Sequence, residues 1–232
     1  MAIANRVPTR TLLLGGIVGP VLFVAVILVA GAIRQGYDPV RQYVSLLSLG
    51  DGGWVQSANF VLAGLLIAAF GVGLRRTASE DRAGRWMARF VTAAGLGLIW
   101  NGIFATDPAQ GYPAGAPPGL PTSQGWHATL HYLGSVVVFG GLAAASALSA
   151  WRGIGTGRLS SIGWAAYSLL GGAIVLGGWI GPFLIVGPYG IAPTAGLLQR
   201  LTIVAGMQWL VVVALLQLRR LPGAAATEPT AA

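Results

Sequence analysis

The sequence predicts an all-α fold: a polytopic membrane bundle of six transmembrane helices with both termini in the cytoplasm. Its composition is the first indication, because 55% of the residues are hydrophobic and only 9% are charged, against about 25% charged in soluble domains. The second is a set of six apolar runs, each close to the ~20 residues that a helix needs to cross a bilayer. The third is the concentration of arginines between alternate runs. The runs lack the period-two alternation of a membrane β-barrel, so helices are expected.

The six apolar runs are joined by short polar connections. The first follows Arg6 and Arg10 as in a signal sequence, but its 22 residues exceed the usual signal core of about 7–15, so we expect an uncleaved span. Tryptophans mark several run ends, as is typical of membrane interfaces. Residues 222–232 are small and polar and are predicted to be disordered. The predicted spans are 12–33, 54–74, 90–106, 126–151, 159–186 and 195–218.

The arginines predict the orientation. All 14 basic residues are arginine, and six crossings place eleven of them on one side. An excess of basic residues marks the cytoplasmic side, so both termini are expected there. The Arg-, Ala- and Gly-rich composition indicates a GC-rich bacterial genome and hence the bacterial plasma membrane. Because the arginines flank apolar runs, membrane lipids are the expected partners and nucleic acid is not. The three on the opposite side are Arg34, Arg41 and Arg200.

Several kinds of chemistry are excluded. The chain has no cysteine, which removes disulfides, thiolate metal sites and cysteine nucleophiles. It also has no phosphate loop and no dinucleotide fingerprint.

Polar residues interrupt the outer halves of spans two, three, four and six, while the inner halves carry few. Polar and ionisable groups within spans are costly and usually mark a function or a paired structural site. We therefore predict an outward-facing polar pocket. Its candidate ligand-binding residues are Asp38, Arg41, Asn59, Asn101, Asp107, His127, His131, Gln199 and Arg200.

Arg200 is the sharpest of these candidates, because it lies about five residues into an apolar run. Its expected partner is Asp107 or Asp38. One interpretation is an anchor for an anion or headgroup through the guanidinium fork. The other is a structural salt bridge, or a long side chain reaching back to the interface.

Two histidines and a carboxylate form a candidate metal set. His127 and His131 lie one turn apart on a helix and, with Asp107, could hold zinc with an open position for water. The His-x-x-x-His spacing lacks the Glu of the familiar metalloprotease helix, and paired interfacial histidines are more often structural. No cofactor is therefore predicted, and zinc stays an alternative.

Six segments set polar residues in otherwise apolar sequence: 37–41, 45–50, 54–60, 102–108, 127–131 and 196–201. Together they resemble a bacterial membrane family called domain of unknown function 998. The resemblance implies a six-helix integral membrane protein with no established activity. Similar sequences commonly have Phe-Pro-x-Asp where this chain has Phe104, Ala105, Thr106 and Asp107. Without the proline, a looser end of span three is expected, which affects the placement of Asp107.

These observations favour a protein that binds or handles a lipid headgroup or small polar ligand. One alternative is a metal-dependent hydrolase acting at the outer leaflet. Another is an accessory subunit that packs against a larger membrane complex, or a homo-oligomer, through Gly/Ala helix faces. Whether the protein is an enzyme stays open at this point.

Overall fold

The computed structural model describes residues 7–78, 81–154, 159–186 and 193–221. These contain six long helices and no strand, which confirms the all-α fold class. The predicted disorder of 222–232 concerns residues outside the described ones. A short 3-10 helix, Val44–Ser48, lies between α1 and α2. The helices are α1 (Thr9–Ile33), α2 (Gly53–Thr77), α3 (Arg82–Ile103), α4 (Trp126–Ile154), α5 (Leu159–Val186) and α6 (Ala195–Arg220).

Five helices are long and apolar enough to cross a membrane: α1, α2, α4, α5 and α6. The remaining helix, α3, corrects the predicted third span of 90–106, because it begins at Arg82 and ends at Ile103. Arginine is a good helix former, and the Asp81 carboxylate caps α3 by accepting the Ala83 N–H at 3.0 Å. The helix therefore starts before its apolar run does, which a hydropathy pattern does not reveal.

The helices form a ring in chain order, because each packs against its neighbours and α6 returns to α1. Contacts at one end fix the directions. Arg76, at the end of α2, donates to the Val7 carbonyl before α1 at 2.6 Å, and Arg152 of α4 pairs with Asp81 before α3. We call this the arginine end. The opposite or loop end carries the connections 34–52, 104–125 and 193–194.

The ring buries aromatic and aliphatic side chains inside and exposes others outside. Phe23, Phe70 and Trp209 are among the largest fully buried side chains, whereas Leu28 and Leu170 are exposed. A helix that is apolar all round is expected in lipid, where exposed apolar faces need no protein partner. The predicted interfacial tryptophans are exposed at both ends: Trp54 and Trp126 at the loop end, Trp86 and Trp151 at the arginine end.

Small residues allow the closest helix crossing, between α2 and α3. A Cβ atom added to Gly95 would lie 2.4 Å from the Ala68 nitrogen, and one added to Gly64 would lie 2.6 Å from the Gly95 carbonyl oxygen. Backbones this close leave room only for glycine, as in many helix pairs in lipid.

Candidate functional site

Arg200 fastens the connection between α1 and α2 to α6. Its side chain is only 6% exposed. Nη1 donates to the carbonyl oxygens of Pro39 (2.6 Å), Gln42 (3.1 Å) and Gly196 (3.0 Å). Nη2 donates to the Tyr37 hydroxyl at 2.6 Å. The guanidinium therefore acts as a clip that holds the non-helical backbone of residues 37–42 against the start of α6.

The expected ion pair of Arg200 with Asp38 or Asp107 is not formed. Asp38 instead accepts the backbone N–H groups of Val40 (2.8 Å) and Arg41 (3.3 Å) in a local turn. Asp107 accepts the Gly125 N–H at 2.6 Å. Both carboxylates are occupied by nearby backbone, and Arg200 takes carbonyl oxygens, so the sequence expectation of a charge pair was wrong. The Arg41 side chain is exposed at the surface of the loop end.

Three glutamines join the loop-end connections to each other and to α6. The Gln199 carbonyl oxygen Oε1 accepts the Val44 N–H at 2.6 Å. Gln42 donates through Nε2 to the Gln110 carbonyl at 2.9 Å, and the Gln110 Oε1 accepts the Tyr43 N–H at 2.9 Å. Hydrogen bonds over such sequence separations build an ordered cap over the loop end.

Two phenols of this cap are withdrawn from water, Tyr37 almost fully and Tyr43 in part. Burial raises the pKa of Tyr37, which the neighbouring Arg200 guanidinium only partly opposes. Burial also raises the pKa of Tyr43. The Tyr37 hydroxyl lies 3.0 Å from the carbonyl oxygens of both Gln42 and Tyr43, so it accepts from Arg200 while donating to the loop. Both phenols stay neutral at physiological pH.

The predicted metal residues each have a separate structural contact. His131 is buried, with Nδ1 2.7 Å from the Phe104 carbonyl oxygen. His127 is exposed and stacks on Trp126, with ring centroids 3.4 Å apart. Asp107 holds the first turn of α4, where the helix dipole favours a carboxylate. In the described ranges no group of three or more His, Asp or Glu residues could hold a metal ion. The His127, His131 and Asp107 set stays a prediction without geometric support.

The two predicted asparagines join neighbouring helices. Asn59 of α2 donates to the Phe23 carbonyl of α1 at 3.3 Å. Asn101 of α3 donates to the Ser135 hydroxyl of α4 at 3.0 Å. Their Oδ1 atoms, together with the Gln56 Nε2, are buried without a hydrogen-bond partner among the described residues. These amides therefore link helices and retain some unused hydrogen-bonding capacity.

A cavity of about 170 Å³ lies at the loop end, among α4, α5, α6 and the cap. Its wall includes the Tyr43 and Ser45 side chains and the Gln199 amide. Ser45 Oγ, the Tyr43 hydroxyl and Gln199 Nε2 make no hydrogen bond among the described residues. We call this the loop-end cavity; its remaining polar and aromatic lining includes Tyr132, Ser135, Thr202, Phe139 and Trp179.

A smaller cavity of about 30 Å³ adjoins it near the axis of the ring, and Asn101 lines this one. The two cavities share Ser45, Ser135, Phe139 and Gln199. The volume suffices for a water molecule or two. The lining is mostly apolar, so a small and largely apolar space extends from the loop-end cavity towards the ring axis.

The sequence prediction had missed most of the loop-end cavity. Of the nine candidate residues, Gln199 lines it, and Asn101 lines only the smaller neighbour. Residues such as Ser45, Tyr132 and Trp179 carry no individual signal, because serine and aromatic residues are common in membrane helices. Their convergence depends on how α4, α5 and α6 pack.

The described lining of the loop-end cavity is neutral. None of the described residues that line it is an Asp, Glu, His, Lys or Arg. A charged group that entered would meet no counter-charge in this lining, which is costly away from water. Hydroxyl and amide groups, with aromatic faces beside them, can bind a neutral polar group.

A comparison with protein families identifies the family of the chain. The model of the family described as protein of unknown function (DUF998) matches residues 17–216. The chain belongs to this family. The match confirms the resemblance found in the sequence and extends from within α1 to within α6. No curated protein and no solved structure matches the chain.

Proposed function

We propose that this member of the DUF998 family binds the neutral, hydroxyl-rich headgroup of a membrane lipid in the loop-end cavity. The observation that carries the proposal is the neutral lining, in which Tyr43, Ser45 and Gln199 keep unused hydrogen-bonding groups. A glycerol or sugar hydroxyl supplies both donors and acceptors to such groups. The rings of Phe139 and Trp179 stack on each other with centroids 5.7 Å apart and form an aromatic wall against which the C–H groups of a sugar or glycerol backbone can pack.

The size of the cavity favours a headgroup over a whole lipid. Its volume of about 170 Å³ falls below the ~300–1,000 Å³ of sites that enclose drug-sized ligands. At about 30 Å³ for each liquid water, it holds the equivalent of roughly five or six waters, about the size of glycerol or one sugar ring. Tyr132 lines the cavity and is 43% exposed, so the cavity reaches the protein surface and acyl chains can stay in the bilayer.

The proposed topology places this cavity in the outer leaflet of the bacterial plasma membrane. It has six crossings, with both termini and the arginine end in the cytoplasm. The concentration of nine described arginines at that end supports the orientation. The crossing of α3 is supported by its neighbours, because it packs between α2 and α4, both long and apolar enough to span.

Retention of lipid by the purified protein tests the proposal. The protein is placed in phosphatidylcholine nanodiscs containing a minor fraction of monoglucosyl-diacylglycerol, and bound lipid is counted by native mass spectrometry. Wild type is expected to retain the glucolipid in preference to phosphatidylcholine. Ala128, a buried lining residue of α4, is replaced by leucine to fill the cavity without removing a polar contact. We expect Ala128→Leu to lower glucolipid retention by about fivefold or more, on the order of 1 kcal/mol.

The matched control is Ala147→Leu, an exposed alanine on the same helix outside the cavity. It adds the same side chain on the lipid-facing surface and is expected to retain glucolipid as wild type does. Equal retention of both lipids by wild type contradicts the proposal. So does undiminished preference in a folded Ala128→Leu variant.

A further inference from the structure

The arginine end contains a second large cavity system that the proposed function does not use. Two adjoining cavities, of about 420 Å³ and 850 Å³, share Met87, Arg152, Gln217 and Arg220. Arg76 lines the first of them. We call the two together the arginine basin. It opens where the ends of α2, α4 and α6 meet the start of α3.

Three guanidinium groups from three different helices converge on this basin: Arg76 of α2, Arg152 of α4 and Arg220 of α6. Among the described lining residues, the one carboxylate is Asp81, which pairs with Arg152. The described lining therefore carries an excess of two positive charges.

Much of the donor capacity of these arginines is unused. Among the described residues Arg76 donates a single hydrogen bond, to the Val7 carbonyl. Arg220 makes no hydrogen bond or ion pair within the part of the chain that the structure describes. Gln217, one turn before Arg220 on α6, adds a neutral amide to the same wall.

Membrane topology alone does not require this convergence. The positive-inside rule is satisfied by arginines anywhere near the cytoplasmic ends of the spans. Arg75 and Arg219 satisfy it equally well, and neither lines the basin. Arg76 and Arg220, the sequence neighbours of Arg75 and Arg219, line the basin together with Arg152. Membrane topology does not explain this difference.

We propose that the arginine basin binds a phosphate group. Guanidinium forks bind phosphate oxygens in pairs, with charge-assisted hydrogen bonds about twice as strong as neutral ones. The excess positive charge of the described lining matches a group with one or two negative charges. Phosphate reaches this end of the protein from two sources, an anionic lipid headgroup in the same leaflet or a soluble phosphate compound.

Two variants and two matched controls test the basin. Arg76→Gln and Arg220→Gln each remove one lining guanidinium, whereas Arg75→Gln and Arg219→Gln remove the adjacent arginine outside the basin. All four make the same change in net charge at the same end of the protein. Far-UV circular dichroism and thermal unfolding establish that each variant is folded. If a glutamine variant does not fold, Arg220→Lys keeps the charge but loses the fork, and weaker binding is still expected.

Two probes distinguish the sources of phosphate. In one arm, native mass spectrometry counts phosphatidylglycerol retained from nanodiscs that also contain phosphatidylcholine. In the other, calorimetry measures inorganic phosphate binding to protein in neutral detergent, against chloride at equal ionic strength. We expect wild type to bind at least one probe, and each basin variant to weaken that binding about fivefold or more. The two controls are expected to stay within about twofold of wild type.

The pattern of binding identifies the source and can overturn the proposal. Retention of phosphatidylglycerol without binding of inorganic phosphate assigns a lipid headgroup, and binding of inorganic phosphate assigns a soluble phosphate. Failure of wild type to bind either probe overturns the proposal. An equal loss in Arg75→Gln or Arg219→Gln also overturns it, because the effect then comes from general surface charge.

Discussion

Replacing Arg200 by alanine is expected to loosen the cap over the loop end. The Pro39 carbonyl loses the side-chain donor that Arg200 supplies. The Gln42 carbonyl keeps the nearby Tyr37 hydroxyl. The Gly196 carbonyl, one turn earlier in α6, keeps the ordinary helical hydrogen bond. The loss is therefore concentrated at the connection between α1 and α2.

The size of the effect follows from these contacts. A buried carbonyl without a donor costs about 1–3 kcal/mol. The two buried methylenes that alanine lacks, Cγ and Cδ, contribute about 0.8 kcal/mol each, or roughly 1.6 kcal/mol together. We expect Arg200→Ala to lower the free energy of unfolding by about 2.5–4.5 kcal/mol. Arg200→Lys keeps the stem and the charge but loses the fork, so a smaller loss is expected.

Unfolding in mixed micelles of SDS and a neutral detergent, followed by tryptophan fluorescence, measures this difference. Hydrogen exchange locates it, and we expect faster exchange in residues 37–48. The control is Arg41→Ala, which removes an exposed guanidinium from the same connection and should change the free energy of unfolding by less than about 0.5 kcal/mol. An Arg200→Ala variant within about 1 kcal/mol of wild type, or an equal loss in Arg41→Ala, would refute the clip.

Three other outcomes are expected. Gly95→Leu should lower the free energy of unfolding by more than about 2 kcal/mol, because the larger side chain pushes α2 away from α3. The control Gly163→Leu should change it little, since a Cβ there meets no atom within 4 Å. Equal unfolding curves for the two variants would contradict the close crossing. Asp107→Ala should lower the free energy of unfolding by about 1 kcal/mol, because the contact at the start of α4 is lost. If a chelator changes neither the metal content nor the unfolding curve of the wild type, this structural role is favoured over a zinc site. Because the chain has no cysteine, single cysteines introduced at Ser123 and Arg82 can be labelled from each side of the membrane. We expect Ser123→Cys to be labelled from outside and Arg82→Cys only from inside. Labelling of both from one side would disprove the crossing of α3.

The helices could be predicted from the sequence largely because their apolar runs are long. Five of the predicted spans agree with described helices to within about three residues at each end. The third does not, since three arginines and the Asp81 cap extend α3 beyond its apolar run. Hydropathy reports where a chain prefers lipid, and helix formation also depends on capping and propensity.

The candidate site was harder to predict, because its contacts join distant parts of the chain. The sequence identifies candidate polar residues but not their hydrogen-bond partners. Arg200 binds carbonyl oxygens about 160 positions earlier in the chain, and carbonyl groups have no sequence signature. The loop-end cavity likewise depends on the packing of Ser45 against α4, α5 and α6. Of the residues that line this cavity, only Gln199 is among the candidates predicted from the sequence, as a polar residue in the outer half of span six.

Binding of a neutral lipid headgroup in the loop-end cavity is tested most directly by a crystal structure, from crystals grown in a lipid mesophase that contains monoglucosyl-diacylglycerol. We expect density for a headgroup in this cavity, with hydroxyl groups within hydrogen-bonding distance of the Gln199 amide and the Ser45 hydroxyl. A loop-end cavity closed by its own side chains, or occupied by ordered water alone at saturating glucolipid, would contradict it.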